Sequence, residues 1–244
     1  MLIETLTTAQ LLFAAAILFT AYLVRGISGF GSALVAVPPL ALILPLQIVV
    51  PMVVLLDNLC SLAHSIRNLH HIQWRELLPL LPFTLIGIVT ALFLLKSLDQ
   101  ALLKNILAVF IIGYAIYTLL PLPEPKGPRL WAVPMGLLAG LVGTMFGTGG
   151  PFTVVYLRLR QLNKVAFRGT VAMIFLLDGG ARLVGFTLSG FYTLDTLYLI
   201  AASLPLIATG LYIGGHIHTN LTPQTFVRII SAILLISGIS LLIK

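Results

Sequence analysis

Long apolar runs alternate along the chain with short polar joints, and the runs are continuous, without the two-residue alternation of barrel strands. Crossing a bilayer core of roughly 30 Å takes about 20 helical residues. Six runs meet that length: 46–66, 77–96, 100–120, 168–188, 194–214 and 222–243. Two further tracts, 8–44 and 130–160, are too long for a single crossing. Each is split by a glycine-rich stretch, "RGISGFGSALVAVPP" at 25–39 and "GTMFGTGGPFTVVYLRLR" at 143–160. The pattern predicts ten helical segments, of which a hydropathy count would resolve eight.

Composition fixes the solvent. The 244 residues are 59% hydrophobic and 9% charged, with a mean hydropathy of +1.10. A water-soluble domain of this size has no way to hide so much apolar surface, so the chain reads as an all-α integral membrane protein. The first 24 residues carry no Lys or Arg, which argues against a signal peptide. Cys60 is the single cysteine, so neither an intramolecular disulfide nor a cysteine metal cluster is expected. Neither a GxxxxGK[ST] nor an HExxH motif occurs, which removes the usual signatures of ATP-driven transport and zinc proteolysis. The net charge of +7 fits basic cytoplasmic loops better than a nucleic-acid partner.

Those loops set an expected orientation. Arg158, Arg160, Lys164 and Arg168 crowd one connection, Arg67 and Arg75 another, and Lys126 and Arg129 a third. The opposing connections at 43–47 and 189–196 contain no Lys or Arg. Basic loops stay in the cytoplasm, which places both termini outside in a multi-pass protein of the cell membrane. Trp74, Trp131, Tyr192 and Tyr198 fall near span ends, as interfacial aromatics do.

The second half echoes the first in order. Phe30-Gly31-Ser32 matches Phe146-Gly147-Thr148 at an offset of 116, Asp57 matches Asp178 at 121, and Pro82 and Gly87 match Pro205 and Gly210 at 123. The loop charges reverse between the halves, so corresponding loops should lie on opposite sides. The expected architecture is therefore two inverted-topology repeats, 1–122 and 130–244, forming one transmembrane domain with two broken hairpins. Secondary transporters with interrupted helices are built this way and hold substrate where the breaks meet.

Non-helical backbone survives at membrane depth only where protein or a polar cavity surrounds it. Gly26, Gly29 and Gly31, like Gly147, Gly149 and Gly150, permit tight turns and close approach to a ligand. Pro151 suits a first helical turn, whose free N–H groups favour an anion. Ser28, Ser32 and Thr148 add hydroxyl donors. The alternative is that these small residues only let helices pack closely.

With glycines so placed, the chain resembles the TauE/SafE sulfite-exporter family, the TSUP permeases. "GISGFGSALVAVPPL" and "GLVGTMFGTGGPFTVVYL" carry the resemblance, which spans essentially the whole chain. It implies secondary transport of small sulfur-containing anions such as sulfite, or of organosulfonates and related organic anions.

Ionisable residues inside spans each need a reason, at about 2.5–3.5 kcal/mol apiece on insertion scales. Arg182 lies four residues after Asp178, on one helix face. It either holds the anion, with Asp178 orienting it or carrying a proton, or simply neutralises Asp178. Asp57, beside Asn58, is either a proton carrier or an acceptor for a neighbouring helix end. Arg25 is expected to snorkel to the cytoplasmic boundary, or to face the site if the first broken hairpin is re-entrant. His64, His70, His71, His216 and His218 read as solvated loop residues, and no metal or other cofactor is expected.

The candidate substrate-binding set is thus Gly29, Gly31, Ser32, Gly147, Thr148, Gly149, Gly150 and Arg182, with Asp57, Asn58 and Asp178 for proton or ion coupling. The expected partners are a small anion and the lipid bilayer, with a homodimer as an open option. The expectation is a non-enzymatic secondary transporter working by alternating access. An anion or small-solute channel, or an accessory subunit without transport of its own, are the alternatives.

Overall fold

The computed structural model describes residues 7–28, 31–65, 72–120, 126–217 and 223–243. Among these residues all regular structure is helical. In order the helices are α1 (Thr8–Ser28), α2 (Ser32–Leu40), α3 (Leu46–Ser65), α4 (Trp74–Leu77), α5 (Leu80–Ser97), α6 (Gln100–Leu119), α7 (Ala132–Phe146), α8 (Gly150–Leu159), α9 (Lys164–Leu188), α10 (Leu194–His216) and α11 (Pro223–Ile243). A 3-10 turn, Arg129–Trp131, leads into α7. The two long tracts are broken where the glycine runs predict, into α1 and α2 and into α7 and α8. The tract expected as one span from 77 begins instead with the short α4, and α5 starts at Leu80.

Local chemistry explains the boundaries. Asp99, Asn163 and Thr193 each accept a hydrogen bond from the backbone N–H three residues on, starting α6, α9 and α10. Gly147 ends α7 in the left-handed region at φ 72°, donating its N–H to the Gly143 carbonyl at 2.9 Å. Gly31 precedes α2 in the same region at φ 91°. Pro151 sits in the first turn of α8, where it has no hydrogen bond to lose.

Six helical stretches of the described residues are long and apolar enough to cross a membrane: Thr8–Ile27, Leu80–Ser97, Gln100–Leu119, Arg129–Phe146, Val165–Leu188 and Leu194–His216. Their apolar side chains are far from fully covered by protein: Phe93 is 69% exposed and Leu188 83%. Surfaces of that kind require lipid rather than water. The chain is a multi-pass membrane protein.

The chain divides into two compact units, each drawing on both halves of the sequence: residues 1–53, 98–121 and 192–244 in one, 54–97 and 122–191 in the other. In the first, α1 packs along α10 and against α2, while α11 packs along α6 and against α2. α2 is almost entirely buried. In the second, α5 packs along α7, α7 turns back into α8, and α9 lies against α5 and α8.

Glycine sets the spacing of two of these helix pairs, α5 with α7 and α1 with α10. A methyl on Gly87 of α5 would strike the Leu137 carbonyl and the Leu141 amide of α7. A methyl on Gly210 of α10 would strike the Phe19 carbonyl and the Leu23 amide of α1. Such close backbone approach is how helices associate in lipid, where no hydrophobic drive pulls them together.

Candidate functional site

The second unit gathers most of the expected site. α9 carries Asp178 and Arg182 one turn apart, both buried, at 6% and 7% exposure. Arg182 Nη2 donates to Asp178 Oδ2 in a close ion pair, and also to the Ala139 carbonyl of α7 at 3.2 Å. The guanidinium lies against the α7–α8 break, in space that only glycine leaves. A Cβ on Gly143 would collide with it, and one on Gly149 would meet both Nη2 and the Ala139 carbonyl.

Next to each of those glycines in sequence stands a buried threonine, Thr144 after Gly143 and Thr148 before Gly149. Thr144 and Thr148 are 0% and 2% exposed, and neither hydroxyl has a hydrogen-bond partner in the protein. Asp178 Oδ1 and Arg182 Nε are likewise buried and unpartnered. Among the described residues no other buried side-chain nitrogen or oxygen stands so. All four belong to the second unit and concern the same arginine, its acid partner and the break beneath it. Buried polar atoms are ordinarily satisfied, because each orphan costs about 1–3 kcal/mol. A concentration of them marks a place that binds polar matter.

The remaining expected residues fall as follows. Gly147 makes the turn that ends α7, and Gly150 opens α8 with its open face against the Phe175 ring. Asn58 of α3 packs on Gly179 of α9, beside Asp178, and its amide donates to the Val54 carbonyl at 2.8 Å. Asp57 is half-buried in the same unit. Gly29 lies outside the described residues.

Gly31 and Ser32 belong to the first unit. There Ser32 is fully buried and accepts a hydrogen bond from Arg25 Nη1 at 2.9 Å. Arg25, for which snorkelling is the first expectation, thus has a protein partner at the break. It folds back across the break and meets the first hydroxyl of α2.

A second polar cluster was not anticipated. Glu76, 6% exposed, accepts from Arg129 Nε and Nη2 at 3.1 and 3.0 Å, from Arg160 Nε at 2.8 Å and from the Tyr156 hydroxyl at 3.0 Å. Arg160 also donates to the Gly127 carbonyl. Burial alone would raise the Glu76 pKa, but the hydrogen bonds from Arg160, Arg129 and Tyr156 outweigh it and hold the carboxyl below its ordinary range. Arg129 and Arg160, read from sequence as loop charges, are thus bound to one acid.

Among the described residues no group of three His, Cys, Asp or Glu side chains could hold a metal. His216 bonds the Tyr212 carbonyl, and the side chains of His64, His70, His71 and His218 lie outside what is described. An apolar depression of about 370 Å³ on α6, lined by Asn105, Ile106, Val109 and Phe110, contains none of the site residues.

Fold and site together define a helical membrane protein with a broken helix pair closed over a buried arginine. The sequence profile of the sulfite exporter TauE/SafE family matches residues 13–241, and the chain belongs to that family. It is 25% identical over 195 residues to the "Probable inner membrane transporter protein TsaS" of Comamonas testosteroni, covering 78% of this chain and 81% of that one. To the "Probable sulfite/organosulfonate exporter TauE" of Cupriavidus necator it is 23% identical over 228 residues, covering 89% and 88%. No solved structure matches it significantly.

Proposed function

We infer that the chain is a secondary transporter for sulfite or a related organosulfonate, and that the anion is engaged at the α7–α8 break. The observation that carries this is the set of orphaned polar atoms around Arg182: the Thr144 and Thr148 hydroxyls, Arg182 Nε and Asp178 Oδ1. Donors fixed in a buried setting bind an anion strongly, since they need no reorganisation. The name of the Cupriavidus necator relative, a probable sulfite/organosulfonate exporter, points to the same cargo.

Inverted repeats are the architecture that supports alternating access. The matched glycine contacts of α5 on α7 and α10 on α1 favour the repeat reading, as does the left-handed glycine at each break, Gly31 and Gly147. Without an ATP motif, the driving force is a gradient of substrate, protons or another ion. Asp57, Asn58 and Asp178 are the coupling residues in this reading.

The test is uptake of radiolabelled sulfite, then of a sulfonate, into proteoliposomes with and without an imposed pH gradient. Saturable uptake that follows the gradient is expected, with loss of about tenfold or more in Arg182→Ala protein that remains monodisperse. Unchanged uptake in that variant would remove the site. Flux that neither saturates nor concentrates substrate would make the protein a channel, and no flux with a co-purifying partner would make it an accessory subunit.

A further inference from the structure

The four orphaned atoms at the α7–α8 break are not alike. The Thr144 and Thr148 hydroxyls and the Arg182 Nε–H can all donate. Asp178 Oδ1 is a carboxylate oxygen, and its twin Oδ2 is already held by Arg182 Nη2. An ionised carboxylate only accepts. A ligand made solely of acceptor oxygens therefore satisfies three of the four atoms and sets lone pairs against lone pairs at the fourth. Burial makes that mismatch costly, because no water competes for the orphaned oxygen.

We propose that the site selects anions that carry their own hydrogen-bond donor: the ligand's sulfonyl oxygens accept from Thr144, Thr148 and Arg182, while its O–H or N–H donates to Asp178 Oδ1. The proposal rests on the anion site of the preceding subsection and adds which anions fit it. Singly protonated sulfite fits, as does a sulfonate bearing a hydroxyl or ammonium group. Fully ionised sulfite and plain alkanesulfonates do not. The carboxylate then accepts a proton donor that arrives on the cargo.

The placement of the groups supports this division of labour. The two hydroxyls sit at the last turn of α7 and just before α8, each next to a glycine that the guanidinium touches. Asp178 comes from α9, one turn before Arg182, with Asn58 packed at the neighbouring Gly179. Donors for the sulfonyl end therefore come mainly from the break, and the acceptor comes from the helix facing it.

The experiment compares two monoanions of one charge and nearly one shape, 2-hydroxyethanesulfonate and propane-1-sulfonate, in which a methyl replaces the hydroxyl. Calorimetric binding to the purified full-length protein at a single pH is measured for both, with sulfite as a third ligand. The hydroxyl compound is expected to bind about tenfold or more tightly than the methyl compound. In Asp178→Asn protein that ratio should fall toward one. In Thr148→Val protein both affinities should drop together and the ratio should persist.

Equal binding of the two sulfonates by the unmodified protein would overturn the proposal and leave the anion site standing. So would a ratio that Asp178→Asn leaves intact. Binding of none of the three ligands would overturn the anion site itself, and this inference with it.

Discussion

Thr144 shows what a single residue can conceal. Hydroxyls in membrane helices usually bond the carbonyl one turn back, as Thr84, Thr90 and Thr187 do at 3.0, 2.9 and 2.8 Å. In the string "GTMFGT" the doubled Gly-Thr pair is the one sign that Thr144 does otherwise. Thr148 was legible because it aligns with Ser32, and Arg182 because a charge inside a span demands a reason. Gly143 was not legible, since its role is to leave room for an atom that arrives from another helix. Its substitution separates site from scaffold. The nearest atoms that the methyl of Gly143→Ala would meet are those at the end of the Arg182 side chain. Expected is a protein that folds with a displaced guanidinium and about a tenfold or greater loss of sulfite affinity, read by titration against size-exclusion behaviour.

At the scale of elements, the joints do more than carry charge. Loop asymmetry is readable because Lys and Arg counts survive without any coordinates. The partners of those charges are not readable, because Glu76 meets Arg129 and Arg160 from 53 and 84 residues away. The result ties α4, the turn before α7 and the end of α8 into one knot above the apolar cluster of Leu77, Leu80, Tyr156 and Ile174. Arg160 is mostly buried and Arg129 half exposed, at 17% and 53%, so Arg160 suffers more when the acid is removed. Glu76→Ala should destabilise the protein in detergent by roughly 2–3 kcal/mol. Because the folded carboxyl titrates below its unfolded value, its contribution is fully present above the ordinary carboxylate range and is lost as pH falls through the lowered one. Acid unfolding followed by tryptophan fluorescence should show that limb in the natural protein and a weaker one in Glu76→Gln. Trp74 and Trp131 flank the knot and are the chain's two tryptophans, so the signal is local.

Across the whole molecule, the long helices and both breaks follow from hydropathy and glycine placement, because lipid leaves the backbone few options, while the short α4 does not. The grouping of helices does not follow. Sequence order suggests two blocks, yet α5 packs with α7 and α10 with α1, so the compact units borrow across the halves. Pro82-to-Gly87 and Pro205-to-Gly210 hinted at this only as an echo of letters. In three dimensions each glycine is the floor of a helix crossing. Gly87→Ala and Gly210→Ala should therefore act alike, each costing about 1–3 kcal/mol in detergent unfolding, since the obstructing atoms are backbone. Opposite signs for the two would contradict equivalent roles.

The borrowing of helices across the halves has a consequence for how the protein is made. Unit membership changes between 53 and 54, inside α3, and again after 97, 121 and 191. The second unit has all its helices once residue 191 has left the ribosome. The first must hold α1, α2 and α6 in the bilayer, without α10 and α11, until the last residues are synthesised. For most of its biogenesis, the face of α1 that receives Gly210 waits for a helix that does not yet exist, and chaperoning at the membrane has its greatest scope there.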